Sequence, residues 1–258
     1  MSEMRLAIAG FGNIGRTLAA ESPGISARIG MDVTIVAVSD PRYGTIVDPK
    51  GIDGALLAKA AANDGSFSGF AGHVADVNTM EMIEAAPADV LVELTYTDLA
   101  TGEPALSHIE AAIARGMDVS TTNKGPIALR LVELEGAATA AGVTIAFEGT
   151  VMSGTPAVAV ARDTVGPAGF KSAVGILNGT TNFMLGRIED GLGFDAALAQ
   201  AQELGYAEAD PSGDIDGHDA AAKLAILAGV LTGRPLPLDR VDTTSLSSID
   251  ETAVRAVR

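Results

Sequence analysis

Up to about residue 150, short apolar runs alternate with apolar positions at helical spacing. Arg5–Ala9 is an apolar run that ends at Gly10-Phe11-Gly12-Asn13-Ile14-Gly15, after which Ile14, Leu18 and Ala19 recur at helical spacing. This pattern predicts strand, glycine turn, helix. Val33–Val38 predicts a second strand stopping at Ser39-Asp40, and Asp89–Leu94 a third before a loop with Gly102 and Pro104. His108–Arg115 reads as a helix closed by Gly116. Met117–Thr121 reads as a strand ending at Asn123-Lys124-Gly125-Pro126. Pro126 suits the first turn of a helix running to about Ala141, and Val143–Phe147 is one more strand. Strands alternating with helices at this spacing predict an α/β fold, a Rossmann-type doubly wound parallel sheet.

The texture changes after Glu148. Val151–Pro156 is rich in small residues and reads as a connector. Phe170–Leu177 predicts a strand leading into Asn178-Gly179-Thr180-Thr181 and a helix to about Glu189. Phe194–Leu204 and the strongly apolar His218–Thr232 predict two further helices, with the carboxylate-rich Gly205–Gly217 between them. The expected division is therefore 1–150, a dinucleotide-binding domain, and 151–258, a second domain of α+β type.

Composition narrows the setting. The net charge of −16, with five lysines (Lys50, Lys59, Lys124, Lys171, Lys223) against 33 acidic residues, disfavours nucleic acid and anionic membranes as partners. Such acidity fits a salty cytoplasm or an ordinary acidic enzyme, and says nothing about the reaction. The longest apolar stretches, such as Leu224–Leu231, are far below the ~20 residues needed to cross a bilayer. No basic-then-apolar leader opens the sequence, and there is no cysteine, so disulfides and thiolate metal sites are excluded. The expected location is cytoplasmic.

The glycine turn carries the first chemistry. Gly10 permits a tight turn, Gly12 lets backbone approach a pyrophosphate, and Gly15 lets helix and strand pack closely. The amides of Asn13, Ile14 and Gly15, following Phe11 and Gly12, open a helix whose N-terminus favours an anion. Asp40, ending the next strand, is placed to accept from adenosine ribose hydroxyls, which favours NAD. Arg42, with Lys59, could instead hold a 2′-phosphate, which favours NADP, and a solvated loop charge is an equally plain reading of Arg42. These residues leave the preference open.

Five carboxylates, Glu208, Asp210, Asp214, Asp216 and Asp219, fall within twelve positions. A solvated acidic loop is the default explanation of such a run. Asp219 and Lys223 are four apart and share a helix face, for which a simple ion pair is the plainer reading.

Asn178-Gly179-Thr180-Thr181-Asn182-Phe183 and Leu204-Gly205-Tyr206-Ala207-Glu208-Ala209-Asp210-Pro211, continuing through Asp214, Gly217, Asp219 and Lys223-Leu224, change that weighting. Together with Gly10–Gly15 and Asn123-Lys124-Gly125-Pro126, they resemble the signature blocks of homoserine dehydrogenase, in order along nearly the whole chain. The resemblance implies interconversion of L-homoserine and L-aspartate 4-semialdehyde with NAD or NADP, in the pathway to threonine and methionine. It implies that Glu208, Asp214 and Asp219 help hold the amino acid, with amides near Thr180 at a helix N-terminus meeting its carboxylate. It makes Lys223 a proton-transfer residue and Lys124 a second active-site lysine, and it puts Thr95 where the cofactor loop approaches the nicotinamide. Glu148-Gly149-Thr150-Val151-Met152-Ser153-Gly154-Thr155 resembles the family's sodium loop, whose ligands would be Glu148 and the carbonyls of Val151, Ser153 and Thr155. An ordinary hinge loop is the plainer reading of that segment.

The resemblance also implies a homodimer through the second domain, since apolar, alanine-rich helices there exceed what roughly 100 residues bury alone. Relatives continue for several tens of residues past the point matching Arg258, so Val241–Arg258 reads as the start of a segment cut short. The alternative is accordingly a truncated, catalytically inactive NAD(P)-binding homologue.

Overall fold

The structure, a computed structural model, describes residues 2–63, 65–74 and 76–256. It divides into two compact units, Met1–Thr150 and Val151–Arg258.

The first unit is built on strands β1 (Glu3–Ala9), β2 (Asp32–Asp40), β3 (Gly44–Val47), β4 (His73–Val74), β5 (Val90–Glu93), β6 (Asp118–Thr121) and β7 (Ile145–Ala146). The sheet order is β4-β3-β2-β1-β5-β6-β7. Neighbours from β2 to β7 pair in parallel, while β3 and β4 extend the sheet antiparallel at the β2 edge. Helices α1 (Asn13–Ile29), α2 (Gly54–Ala62), α3 (Thr79–Ala85), α4 (Ala105–Ala114) and α5 (Lys124–Ala141) accompany it. Leu6, Ile8, Ile35, Val38 and Ile46 from the sheet pack with Phe11, Leu57 and Phe67 in one buried cluster. Phe67 meets Phe11 edge-on at 5.5 Å, the offset that aromatic quadrupoles favour.

The expected parallel strands are all present, with β7 shorter than read. The antiparallel β3–β4 pair, α2 and α3 were not anticipated. Each of the two helices has a local signal. Asp53 accepts from the amides of Ala55 and Leu56 at the start of α2, and Asn78 with Glu81 forms a capping box on α3.

The second unit is helical among its described residues. Short turns of helix cover Ala157–Ala168, followed by helices Gly179–Glu189, Phe194–Glu203 and His218–Thr232. Met184, Ile188, Ala197, Ala201, Ala207 and Leu246 form its buried cluster. Phe170–Leu177 departs from expectation. It runs without a pairing partner and is exposed along most of its length, Val174 completely so at 100%. A strand is defined by a ladder of main-chain hydrogen bonds, and none of the described residues supplies one here. Among the described residues, no helix is long and apolar enough to cross a membrane.

Candidate functional site

The glycine turn lies at the carboxyl end of β1, at the centre of the sheet. Gly10 takes φ +88°, and a Cβ there would stand 2.7 Å from the Leu94 carbonyl. A side chain on Gly15 would come within 2.7 Å of the Gly10 carbonyl oxygen, so strand and helix can be this close only without one. At Gly12 the space is open except for the Arg42 guanidinium, 4.0 Å from where a Cβ would be. Gly12 caps α1 without any side-chain hydrogen bond, so main-chain amides form the helix entrance. A crevice of about 730 Å³ extends from this turn along Asp40, Pro41 and Arg42 on one side and Thr95, Tyr96 and His108 on the other.

Asp40 is buried and fully engaged. Its Oδ2 accepts from the Phe11 amide at 2.8 Å and from Arg42 at 3.1 Å; its Oδ1 accepts from the Arg42 amide at 2.9 Å and Nε at 3.1 Å. Burial alone would raise its pKa, but the hydrogen bonds from Arg42 and Phe11 and the guanidinium charge outweigh that and hold the carboxyl below its ordinary value. Arg42 forks onto Asp40 while its side chain stays 62% exposed beside the crevice. Asn13 and Ile14 are exposed at the first turn of α1, and Phe11 is buried beneath it. Lys59 stands exposed on α2, outside the residues that line the crevice.

Across the crevice, the loop after β5 is pinned from two directions. Thr95 donates its amide, at 3.1 Å, and its hydroxyl to the buried Glu93. The Asn123 side chain donates to the carbonyls of Thr95 at 3.1 Å and Tyr96 at 2.8 Å. The same Asn123 caps α5 by accepting from the Gly125 amide. Lys124 is thereby fixed as the first residue of α5, half-buried, directly after the residue that holds the Thr95 loop.

In the second unit the carboxylates sort into two groups. Asn178 is buried, and its amide nitrogen donates to Asp214 at 2.6 Å and to Asp219 at 2.9 Å. Its oxygen accepts the Thr181 amide at 2.8 Å, capping the helix, so the orientation of the amide is set. Lys223 completes the cluster with an ion pair to Asp219 at 2.5 Å and a hydrogen bond to the Leu177 carbonyl at 2.9 Å. Thr180 is buried, and its hydroxyl donates to the Tyr206 carbonyl at 2.6 Å, tying the Gly179–Glu189 helix to the acidic loop. Glu208 is exposed, outside this cluster, with its own carbonyl accepting from Gln202. Asp210 is exposed too, and hydrogen bonds from Ser212 hold its carboxyl below the ordinary value, as in a solvated turn. Asn178 opened one of the sequence blocks, yet nothing there singled it out as the bridge between two carboxylates.

Glu148 opens a short helical turn, Val151 is buried, and Ser153 and Thr155 are exposed. Met152 and Ser153 both take positive φ, 58° and 53°. Consecutive non-glycine residues in that region are uncommon and carry some backbone strain.

A doubly wound, mostly parallel sheet with an open glycine turn at its switch point has the form of a dinucleotide-binding unit, and the second unit carries a lysine–carboxylate cluster. Residues 156–258 match the family model described as homoserine dehydrogenase, and 1–114 match that described as Glutamate/Leucine/Phenylalanine/Valine dehydrogenase. The chain is 40% identical to the NAD(+)-dependent homoserine dehydrogenase of Pseudomonas canavaninivorans, covering 96% of this chain and 72% of that protein. It is 34% identical to the homoserine dehydrogenase of Methanocaldococcus jannaschii, covering 97% and 76%. Its fold superposes with a TM-score of 0.82 on a putative homoserine dehydrogenase from Archaeoglobus fulgidus, at 30% identity over 97% of this chain and 75% of that one. A hyperthermophilic archaeal homoserine dehydrogenase in complex with NADPH superposes at 0.77, with 31% identity over 90% and 71%. The chain belongs to the homoserine dehydrogenase family of NAD(P)-dependent oxidoreductases.

Proposed function

We infer that this chain oxidises the C4 hydroxyl of L-homoserine to L-aspartate 4-semialdehyde with NAD(P)⁺ and runs the reverse reaction with NAD(P)H. The observation that carries this reading is the Asn178–Asp214–Asp219–Lys223 cluster, a titratable amine held beside fixed carboxylates. The crevice fits a dinucleotide: Gly12 leaves its backbone open to a pyrophosphate, and the α1 entrance offers main-chain amides. When bound, the nicotinamide supplies the acceptor for the hydride that leaves C4.

The protein's own part is to bind, orient and move a proton. Asp214 and Asp219, with Glu208 from the loop, accept from the substrate ammonium. The Thr181 amide is committed to its cap, so the amides of Gly179 and Thr180 face the substrate carboxylate. Lys223 takes the hydroxyl proton as the C–H bond breaks, and Lys124 positions the reacting end. Asp40 already accepts four hydrogen bonds, which supports Arg42 rather than Asp40 as the group that meets the adenosine ribose or its phosphate. The resemblance of the Glu148–Thr155 segment supports a sodium site at Glu148 and the carbonyls of Val151, Ser153 and Thr155, since hard oxygen ligands suit a hard cation.

The second unit pairs with a copy of itself. What supports this is its unpaired extended segment Phe170–Leu177 beside an apolar groove of about 680 Å³ lined by Leu224, Leu227 and Leu231. A biosynthetic role in the cytoplasm follows the same reading. Turnover of homoserine by the purified protein tests the assignment.

A further inference from the structure

Glu93 is the last residue of β5 and is completely buried, at 0% exposure. Its Oε1 accepts from the Thr95 amide and hydroxyl, and its Oε2 lies 3.4 Å from the Thr121 hydroxyl. Among the described residues the remaining partner is His108, whose Nδ1 stands 3.5 Å away and which lines the crevice with Gly10 and Thr95. The carboxylate is thus surrounded by neutral donors and one imidazole, which offsets its charge only when protonated. Burying a carboxylate is costly, and a neutral glutamine could make most of the same hydrogen bonds. Holding the loop does not by itself require a charge.

The topology gives the charge a use. The pyrophosphate turn lies at the end of β1, and Asp40 at the end of β2 marks the adenosine side. The other half of a dinucleotide crossing this switch point lies on the β5 side, where Glu93 sits beneath the Thr95 loop. The ring on that side is cationic when oxidised and neutral when reduced. Resting on the dinucleotide reading above, we propose that Glu93 is a positioning residue that also sets the balance between the two cofactor forms: its buried charge favours the oxidised ring, and through Thr95 it fixes the loop facing that ring.

Equilibrium binding tests this without turnover. Oxidised and reduced forms of the same nucleotide are titrated calorimetrically into the wild type, Glu93→Gln and Glu93→Asp at one alkaline pH. Removing one buried charge should lower the preference for the oxidised form roughly tenfold in Glu93→Gln. Glu93→Asp keeps the charge, so it should weaken both forms while preserving their ratio. A ratio in Glu93→Gln within about twofold of wild type, with both affinities falling together, would overturn the proposal and leave only a structural role. If Glu93→Gln does not fold, Glu93→Met/His108→Leu replaces both partners by apolar groups and should show the same fall in ratio. A wild type that binds neither form defeats the dinucleotide reading, and this proposal with it, whereas binding with an unchanged ratio defeats the proposal alone.

Discussion

Lys223→Ala separates a structural ion pair from a proton-transfer group. On an exposed helix face, an i,i+4 pair with Asp219 would contribute only about 0.3–0.5 kcal/mol. Here the Lys223 side chain is 14% exposed, pairs with Asp219 at 2.5 Å and donates to the Leu177 carbonyl at 2.9 Å. Truncation removes the Lys223 donor from both the Leu177 carbonyl and Asp219. A mostly buried charged hydrogen bond puts the expected stability loss at about 2 kcal/mol, above the surface figure and below that of a fully buried pair. If Lys223 also takes the hydroxyl proton, kcat falls roughly 10²–10⁴-fold while cofactor affinity at Gly10–Gly15 is unchanged. Denaturant unfolding gives the first number, and initial rates at saturating homoserine give the second. Lys223→Arg keeps a charge for Asp219 but replaces the amine by a guanidinium that does not give up its proton, so it should recover part of the stability and little of the rate. Lys124→Ala, assayed alongside, shows which lysine matters more to kcat. A Lys223→Ala protein that loses stability but keeps near-normal kcat refutes the proton-transfer role.

Other consequences follow from the same geometry. Arg42→Ala should weaken NADP binding by tenfold or more and NAD binding much less, because the guanidinium lies beside Gly12 and the adenosine side of the crevice; equal losses for both nucleotides would reduce Arg42 to shaping the loop. Asp40 has a native pKa below its unfolded value, so its contribution to stability is present above that unfolded value and is lost as the pH falls through the native one. Asp40→Asn should therefore destabilise the protein at neutral pH and flatten the acid limb of its stability curve below about pH 4; an unchanged acid limb would contradict the hydrogen-bonding account. Light scattering should give twice the chain mass, and a monomer at working concentration would count against pairing through the Phe170–Leu177 face.

Much of the first unit was legible because its signals are local. Short apolar runs between polar or glycine-bearing stops predicted the parallel strands, and the glycine turn and the Asn123-Lys124 helix start stand where their spacing put them. Helix His218–Thr232 matches its expected bounds, set by a glycine at each end. What was missed is either very short or non-local. β3, four residues long, folds straight back on β2 with Gly44 opposite Asp40, and β4, two residues long, pairs with β3 from far along the chain; both are too short for a period to show. Phe170–Leu177 has strand composition, but composition cannot supply a neighbour to pair with. Glu93 was legible in principle, as a lone acid closing the apolar run Val90-Leu91-Val92, although nothing in that run reveals Thr95, Thr121 and His108 closing around it. The Asp219–Lys223 pairing followed from helical spacing, whereas its bridge through Asn178 to Asp214 spans 36 residues and emerges only from the fold.

The central claim is that this chain is a working homoserine dehydrogenase, and the most direct test is spectrophotometric. Purified protein is mixed with L-homoserine and NAD⁺ or NADP⁺ at alkaline pH across a range of sodium chloride, and the absorbance of reduced nicotinamide is followed. The account predicts homoserine-dependent reduction of at least one nucleotide, reversed when L-aspartate 4-semialdehyde and the reduced form are supplied. Tight nucleotide binding with no reduction at any salt concentration, by protein shown to be folded, would contradict it.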